Sequence, residues 1–457
     1  MLNSMDQLIR EYRMLPPGTT VLCALSGGAD SVCLFHRLCQ LRESLGFRLA
    51  AAHYNHTLRG AESERDEAFV EEIVASFVPD GSVLLLTGRG DVSARARETG
   101  RGLEETAREM RYAFLREAAK QVGADVIATA HNLNDQAETL LLHLVRGSGL
   151  RGLCGMEPVR GGVIRPLLTT SREEIESYLA QNGLSWVEDS SNQEDAYTRN
   201  RIRHQVLPLL EEICPGAARH MSQCADRLRL DEDYLSTQAR LLVENATWRG
   251  DELTVPVEAI AKAHDAQAIR ALRYLLGQQN GGNDNCTQAH LKGLLALCRG
   301  EDPSAELDLP DGLKAVREYE LLILTRQKVS VMEPLLWRLP GALQAGGWRL
   351  ECRETVYRGE AHSGTCFYLK REGIDEIRLR PRRVGDRLKR PGRSGKTVKK
   401  LLIEEKIPFR YRDSLPVLEV LDQVAAVAGL GPDIIFVPQV GEKAWNILIV
   451  PQELRNT

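Results

Sequence analysis

In the first half of the chain, short apolar runs alternate with stretches of helical periodicity, and this alternation restricts the fold more than any other feature. Residues 21–25 form an apolar run that breaks at Gly27 and Gly28, and residues 31–41 follow with a repeat near 3.6. Residues 48–53, 82–87 and 125–130 read as three further strands, the last running into a polar helix over 131–146. Strands separated by helices join through right-handed crossovers into a parallel, doubly wound α/β sheet. In such sheets ligands sit outside the carboxyl ends of the strands. The segments that start at Ser26, His53 and His131 lie at or just after such ends, so a site is expected there.

The pattern changes after Leu207-Pro208 and Cys214-Pro215-Gly216, which close a first domain at 1–215. Residues 216–328 read as a mainly helical middle domain, ending in short strands around Leu309-Pro310-Asp311-Gly312. Residues 329–457 read as a small α+β C-terminal domain. Three domains suit a chain of 457 residues. No stretch approaches the roughly 18 apolar residues of a membrane-spanning helix. The charged start (Asp6, Arg10, Glu11, Arg13) lacks the apolar run of a signal peptide, so a cytoplasmic protein is expected. The ten cysteines are scattered singly with no C-x-x-C pair, which withholds support from zinc ribbons and iron–sulfur motifs.

Leu25-Ser26-Gly27-Gly28-Ala29-Asp30-Ser31 follows a strand and opens a helix. Two glycines allow a sharp turn and close approach to a ligand. The helix start then offers unpaired N–H groups to a phosphate. Ser26 and Ser31 add hydroxyls, and Asp30 is a candidate Mg²⁺ ligand. The loop does not end in lysine, so it is not of the G-x-x-x-x-G-K-[ST] type. A plain serine-capped turn is the competing reading. Further on, His131, Asp135 and Glu138 stand at i, i+4 and i+7, which places all three on one helical face. Such a set can bind Mg²⁺, hold an ammonium ion or accept a proton. A solvated polar face explains the spacing equally well.

The order of further segments decides between these readings. His53-Tyr54-Asn55-His56-Thr57-Leu58-Arg59 follows the second strand, and Glu104-Glu105-Thr106-Ala107-Arg108-Glu109-Met110-Arg111-Tyr112 precedes the fourth. Arg146-Gly147-Ser148-Gly149-Leu150-Arg151-Gly152-Leu153, Glu188-Asp189-Ser190-Ser191-Asn192 and Tyr197-Thr198-Arg199-Asn200-Arg201-Ile202-Arg203 come later. The S-G-G-x-D-S string resembles the pyrophosphate loop of the ATP pyrophosphatase superfamily, whose fold is adenine nucleotide alpha hydrolase-like. Taken together, residues 20–215 resemble tRNA(Ile)-lysidine synthetases. Tyr54 stands where that family usually has an aliphatic residue, and Asn134 where it often has a second aspartate.

The resemblance implies ATP and Mg²⁺ as cofactors, and L-lysine and the CAU-anticodon tRNA(Ile) as substrates. It implies adenylation of the anticodon cytidine, then attack by the lysine amine. Expected ATP contacts are Ser26, Gly27, Gly28, Ala29, Asp30, Ser31, His53 and Asn55. Expected catalytic residues are Asp30, Arg111, His131, Asp135 and Glu138, with Asp135 or Glu138 receiving the amine proton. Arg199, Arg201 and Arg203 are expected to meet tRNA.

The chain is net acidic, at -4, yet residues 378–412 hold fourteen lysines and arginines against three acids. This local surplus is the footprint of a phosphate-backbone contact, with Arg382, Arg383, Arg387, Lys399 and Lys400 as candidates. The segment also resembles the C-terminal domain of bacterial lysidine synthetases. The helical middle can pack within one chain or across two, so a homodimer stays open. Rival readings carry other marks: a tRNA-thiolating enzyme needs cysteine pairs, a small-metabolite amide synthetase usually carries a glutaminase, and a silent tRNA-binding protein shows a broken loop.

Overall fold

A computed structural model describes residues 2–57, 60–188, 198–282, 285–327, 331–390 and 392–451. The chain divides into two compact units, Met1–Tyr234 and Leu235–Thr457. In the first, α1 (Asn3–Glu11) precedes β1 (Thr20–Ala24), α2 (Ala29–Leu45), β2 (Arg48–Asn55), α3 (Ala61–Phe77), β3 (Leu84–Arg89), α4 (Val92–Thr99) and α5 (Leu103–Val122). There follow β4 (Val126–Ala128), α6 (Leu133–Val145), α7 (Leu150–Leu153), β5 (Val159–Arg160), β6 (Val163–Ile164) and α8 (Arg172–Gln181). After the undescribed 189–197 come α9 (Thr198–Arg201), a π-turn over Ile202–Val206, α10 (Leu207–Ile213) and α11 (Ala217–Leu241).

Six strands form one sheet in the order β3-β2-β1-β4-β6-β5. All neighbours are parallel except the β5–β6 hairpin. Side chains alternate across β1, and its two faces enter different cores. Val21 and Cys23 pack with Val32, Phe35 and Leu38 of α2, Val70 of α3 and Ile175 of α8. Leu22 packs on the opposite face with Leu115 and Ala118 of α5. Helices therefore cover both sides, as the alternating pattern required. The strand order reverses between β1 and β4, and the crevice at that switch point is where such sheets bind ligands.

Two differences from the sequence reading matter for the site. The strands β5 and β6, two residues each, are too short to leave a periodic signal, yet β6 delivers Arg165 to the carboxyl edge of the sheet. The helix expected over 131–146 begins only at Leu133, with Asn132 as its cap. His131 is therefore not on the helix, and only Asp135 and Glu138 share its face.

In the second unit, helices Val257–Lys262, Asp265–Gln279 and Gln288–Arg299 pack beside a five-stranded antiparallel sheet built from 247–256 and 306–325. Beyond it, a five-stranded and a four-stranded antiparallel sheet enclose a core with Trp445, Phe367 and Leu402, flanked by the short helix Val398–Glu404. Among the described residues no helix is long and apolar enough to cross a membrane.

Candidate active site

The turn after β1 is built around one hydroxyl. Ser31 Oγ accepts from the backbone N–H groups of Ser26 and Gly27, each at 3.1 Å, and donates to the Gly28 carbonyl at 2.9 Å. Ser31 is buried, so it shapes the loop from within, whereas the Ser26 hydroxyl lies on an exposed residue. Gly27 has φ +92, a backbone state that other residues adopt only with strain. Gly28 caps α2 without any side-chain hydrogen bond, which leaves the first-turn amides to a ligand. The Val187 N–H donates to the Gly27 carbonyl at 3.0 Å and props the loop from outside.

Asp30 follows on the first turn of α2. Burial raises its carboxyl above the usual range, while Arg172, whose Nη1 donates to Oδ1 at 3.1 Å, pulls it back. Arg172 was not foreseen from sequence. Its backbone N–H donates to Asn134 Oδ1 at 3.2 Å, so the asparagine at the atypical position ties α6 to α8. Among the described residues no three His, Cys, Asp or Glu side chains gather into a metal cage. A lone carboxylate still suits Mg²⁺, which takes few protein ligands and completes its shell with phosphate and water.

Asn132 and Asp135 form a capping box: Asp135 N–H donates to Asn132 Oδ1, and Asn132 N–H to Asp135 Oδ2, both at 3.0 Å. The other Asp135 oxygen accepts from Arg199 Nη2 at 3.1 Å and Arg203 Nη2 at 3.0 Å. Glu138 is fully buried and accepts from Arg199 Nε at 2.8 Å and Arg203 Nε at 2.5 Å. Arg199 and Arg203 are bound to carboxylates within the site, while Arg201 between them is exposed. Glu138 is committed to two guanidiniums, because a buried carboxylate must be neutralised where water cannot reach it. Asp135 keeps a small exposed share.

His131 sits between β4 and the cap, with Nδ1 3.0 Å from Thr129 Oγ1. Burial lowers its pKa to about 4, opposed by Asp135 and reinforced by Arg165, Arg108 and Arg111. The imidazole is thus neutral at neutral pH. Arg111 is likewise held below the usual guanidinium range, first by burial and then by the cations of Arg108 and Arg199.

The two candidate ATP contacts on β2 each make hydrogen bonds within the domain. His53 Nδ1 is 2.9 Å from the Leu25 carbonyl. Asn55 donates to Ser63 O and Glu67 Oε2, and its Oδ1 accepts from Thr57 N–H. Both are buried and brace the strand end that borders the loop. Leu58 and Arg59, and residues 189–197 of the later motifs, lie outside the described residues.

The basic C-terminal segment also sorts itself. Arg380 is buried against Asp386 and Glu419, Arg410 against Glu252 and Glu318, and Arg382 pairs with Asp413 at 2.6 Å. Arg382, a candidate for tRNA contact, is half-buried in that pair. Arg383 is exposed, 3.6 Å from Glu419. Arg387, Lys399 and Lys400 are exposed and form no ion pair among the described residues.

A doubly wound sheet with a glycine-turned phosphate loop at its switch point defines the class: an ATP-using domain of the PP-loop type. The family model of the PP-loop domain matches residues 2–210. Models of the TilS substrate binding domain and the TilS substrate C-terminal domain match 256–323 and 377–449. The tRNA(Ile)-lysidine synthase of Geobacillus kaustophilus is 34% identical over 94% of this chain and 95% of its own length. That of Geobacter sulfurreducens is 36% identical over 92% and 90%, and that of Bacillus subtilis 30% over 99% and 96%. The chain belongs to the tRNA(Ile)-lysidine synthase family.

Proposed function

We propose that this chain joins L-lysine to C2 of cytidine 34 in the CAU-anticodon tRNA(Ile), consuming ATP and giving lysidine, AMP and diphosphate. The observation that carries this reading is the family match along nearly the whole chain, with an intact phosphate loop beside His131 and Asp135. In the first step the cytidine O2 forms a bond to the α-phosphorus. The bond to the β-phosphate oxygen breaks, and its electron pair leaves with diphosphate. The amides of the Ser26–Ala29 turn and the α2 start hold the β- and γ-phosphates, and Arg111 faces the α-phosphate. Asp30 would hold Mg²⁺, which would supply further positive charge to the departing oxygens.

In the second step the lysine ε-nitrogen bonds to C2, the C2–O2 bond breaks and AMP departs. A lysine amine has a reference pKa of about 10.4, so it arrives charged and must lose a proton. Asp135 is the acceptor in this reading, because both carboxylates pair with Arg199 and Arg203 but only Asp135 keeps an exposed share. The neutral His131 hydrogen-bonds the base or AMP without adding charge. Arg201, Arg383, Arg387, Lys399 and Lys400 contact tRNA phosphates. The enzyme acts in the cytoplasm, on an unpaired anticodon base that needs no duplex opening. Leu230, Tyr234 and Leu241, exposed at helical spacing on α11, support a homodimer, which light scattering checks.

The deciding experiment incubates the protein with ATP, Mg²⁺, radiolabelled lysine and unmodified tRNA. Label enters tRNA only with ATP present, and AMP appears in step with it. ADP and orthophosphate as products, or no label in tRNA, would overturn the reading.

A further inference from the structure

Between α5, β4 and β6 lies a group of side chains that the steps above use only in part. Arg165 directly follows β6, two strands from the phosphate loop and next to the His131 strand. It is 8% exposed, and its Nη1 donates to the Glu157 carbonyl at 2.6 Å. Neither its buried Nε nor the buried hydroxyl of Tyr112 on α5 has a partner in good hydrogen-bond geometry, although the two side chains lie close enough to interact with each other. The Tyr112 ring is flanked by Arg108 at 5.0 Å and Arg111 at 5.9 Å from its centroid.

A buried donor without an acceptor costs about 1–3 kcal/mol, so two in one place call for an explanation. Three arginines and a neutral imidazole meet there, and the carboxylate they share, Asp135, is already bound to Arg199 and Arg203. The surplus is positive and graded in depth: Arg165 is buried, Arg111 and Tyr112 are half-buried, and Arg108 is exposed. A cluster of this kind suits an anion of more than one charge, whose oxygens replace the missing partners.

We propose that Arg165 Nε and Tyr112 Oη, backed by Arg111, form the pocket for the non-bridging oxygens of the α-phosphate. Their donors are aimed at charge that grows while O2 attacks and diphosphate leaves. Strand order supports this. The loop after β1 takes the outer phosphates, and adjacent strands lie about 4.8 Å apart, so the edge of β4 and β6 is the next station along the sheet. The same donors then hold the AMP phosphate that departs in the second step.

This inference rests on the lysidine-forming reading, and the test separates the two. Adenylation is followed as diphosphate release and AMP-tRNA formation with tRNA and ATP but no lysine. Wild-type protein must show both; if it shows neither, the reading itself fails. Tyr112→Phe removes one hydroxyl and should slow adenylation about tenfold. Arg165→Lys keeps the charge but loses the Nε donor and should slow it about 100-fold, in line with loss of one oxyanion donor. The KM for lysine and the tRNA dissociation constant should stay within twofold for both variants. Wild-type adenylation rates in both variants overturn the proposal. So does a selective rise in the lysine KM, which would mark a carboxylate site, or a weaker tRNA complex with a shallower salt dependence, which would mark a backbone phosphate.

Discussion

Asp135 and Glu138 stand nearly one turn apart on α6, and their surroundings divide their work. Glu138 is sealed and chelated by two guanidiniums, so Glu138→Gln leaves Arg199 and Arg203 short of charge inside the protein. A loss of about 3–5 kcal/mol is expected, read as a lowered denaturation midpoint. Asp135→Asn should cost less stability but stop lysine transfer while adenylate still accumulates; normal transfer would remove Asp135 as proton acceptor. His131 offers a separate test through pH. Its folded pKa of about 4 lies below the unfolded value near 6.5. Between those values the unfolded chain takes up a proton that the folded chain refuses. This residue's share of stability is therefore complete above about pH 6.5 and drains away toward pH 4. Replacing His131 with Gln should flatten the midpoint-against-pH curve in that window.

At the level of elements, the strand–turn–helix at β1 and α2 was legible because three signals agree there: an apolar run, a glycine pair and a helical repeat. Gly27→Ala tests it. The positive φ should cost about 1–2 kcal/mol and distort the amides, with diphosphate release falling well before stability does. The start of α6 was misread because His131, Asp135 and Glu138 fit helical spacing whether or not the helix reaches back that far. The capping box settles the matter through backbone geometry that periodicity cannot express. Asn132→Ala should loosen that start by about 1 kcal/mol, measured by thermal melts, and should impair lysine transfer through Asp135. Arg165 and Arg172 were invisible for another reason: one follows a two-residue strand and the other opens a surface-looking helix. The pairing of Arg199 and Arg203 with α6, more than sixty residues earlier, is a tertiary contact that no local pattern encodes.

Over the whole molecule, the basic segment serves two ends that sequence alone merges. Arg380, Arg382 and Arg410 satisfy internal acids, and Arg410 joins Glu252 and Glu318, on two strands of the middle sheet with one strand between them, to the C-terminal segment. Arg387, Lys399 and Lys400 remain outward. Replacing Lys399 and Lys400 with alanine should weaken tRNA binding and reduce the logarithmic salt slope by about 1.5, since each phosphate contact releases counterions. Arg410→Ala should leave that slope alone and lower the melting temperature; a changed slope would refute this division of labour.

The bond from Val187 to the Gly27 carbonyl has a further consequence. Twelve residues after Val187 the same stretch of chain reaches Arg199, which grips α6 together with Arg203. One length of polypeptide is thus moored at the phosphate end and at the amine end. Val187→Pro removes the N–H that props the Gly27 carbonyl, so diphosphate release should slow.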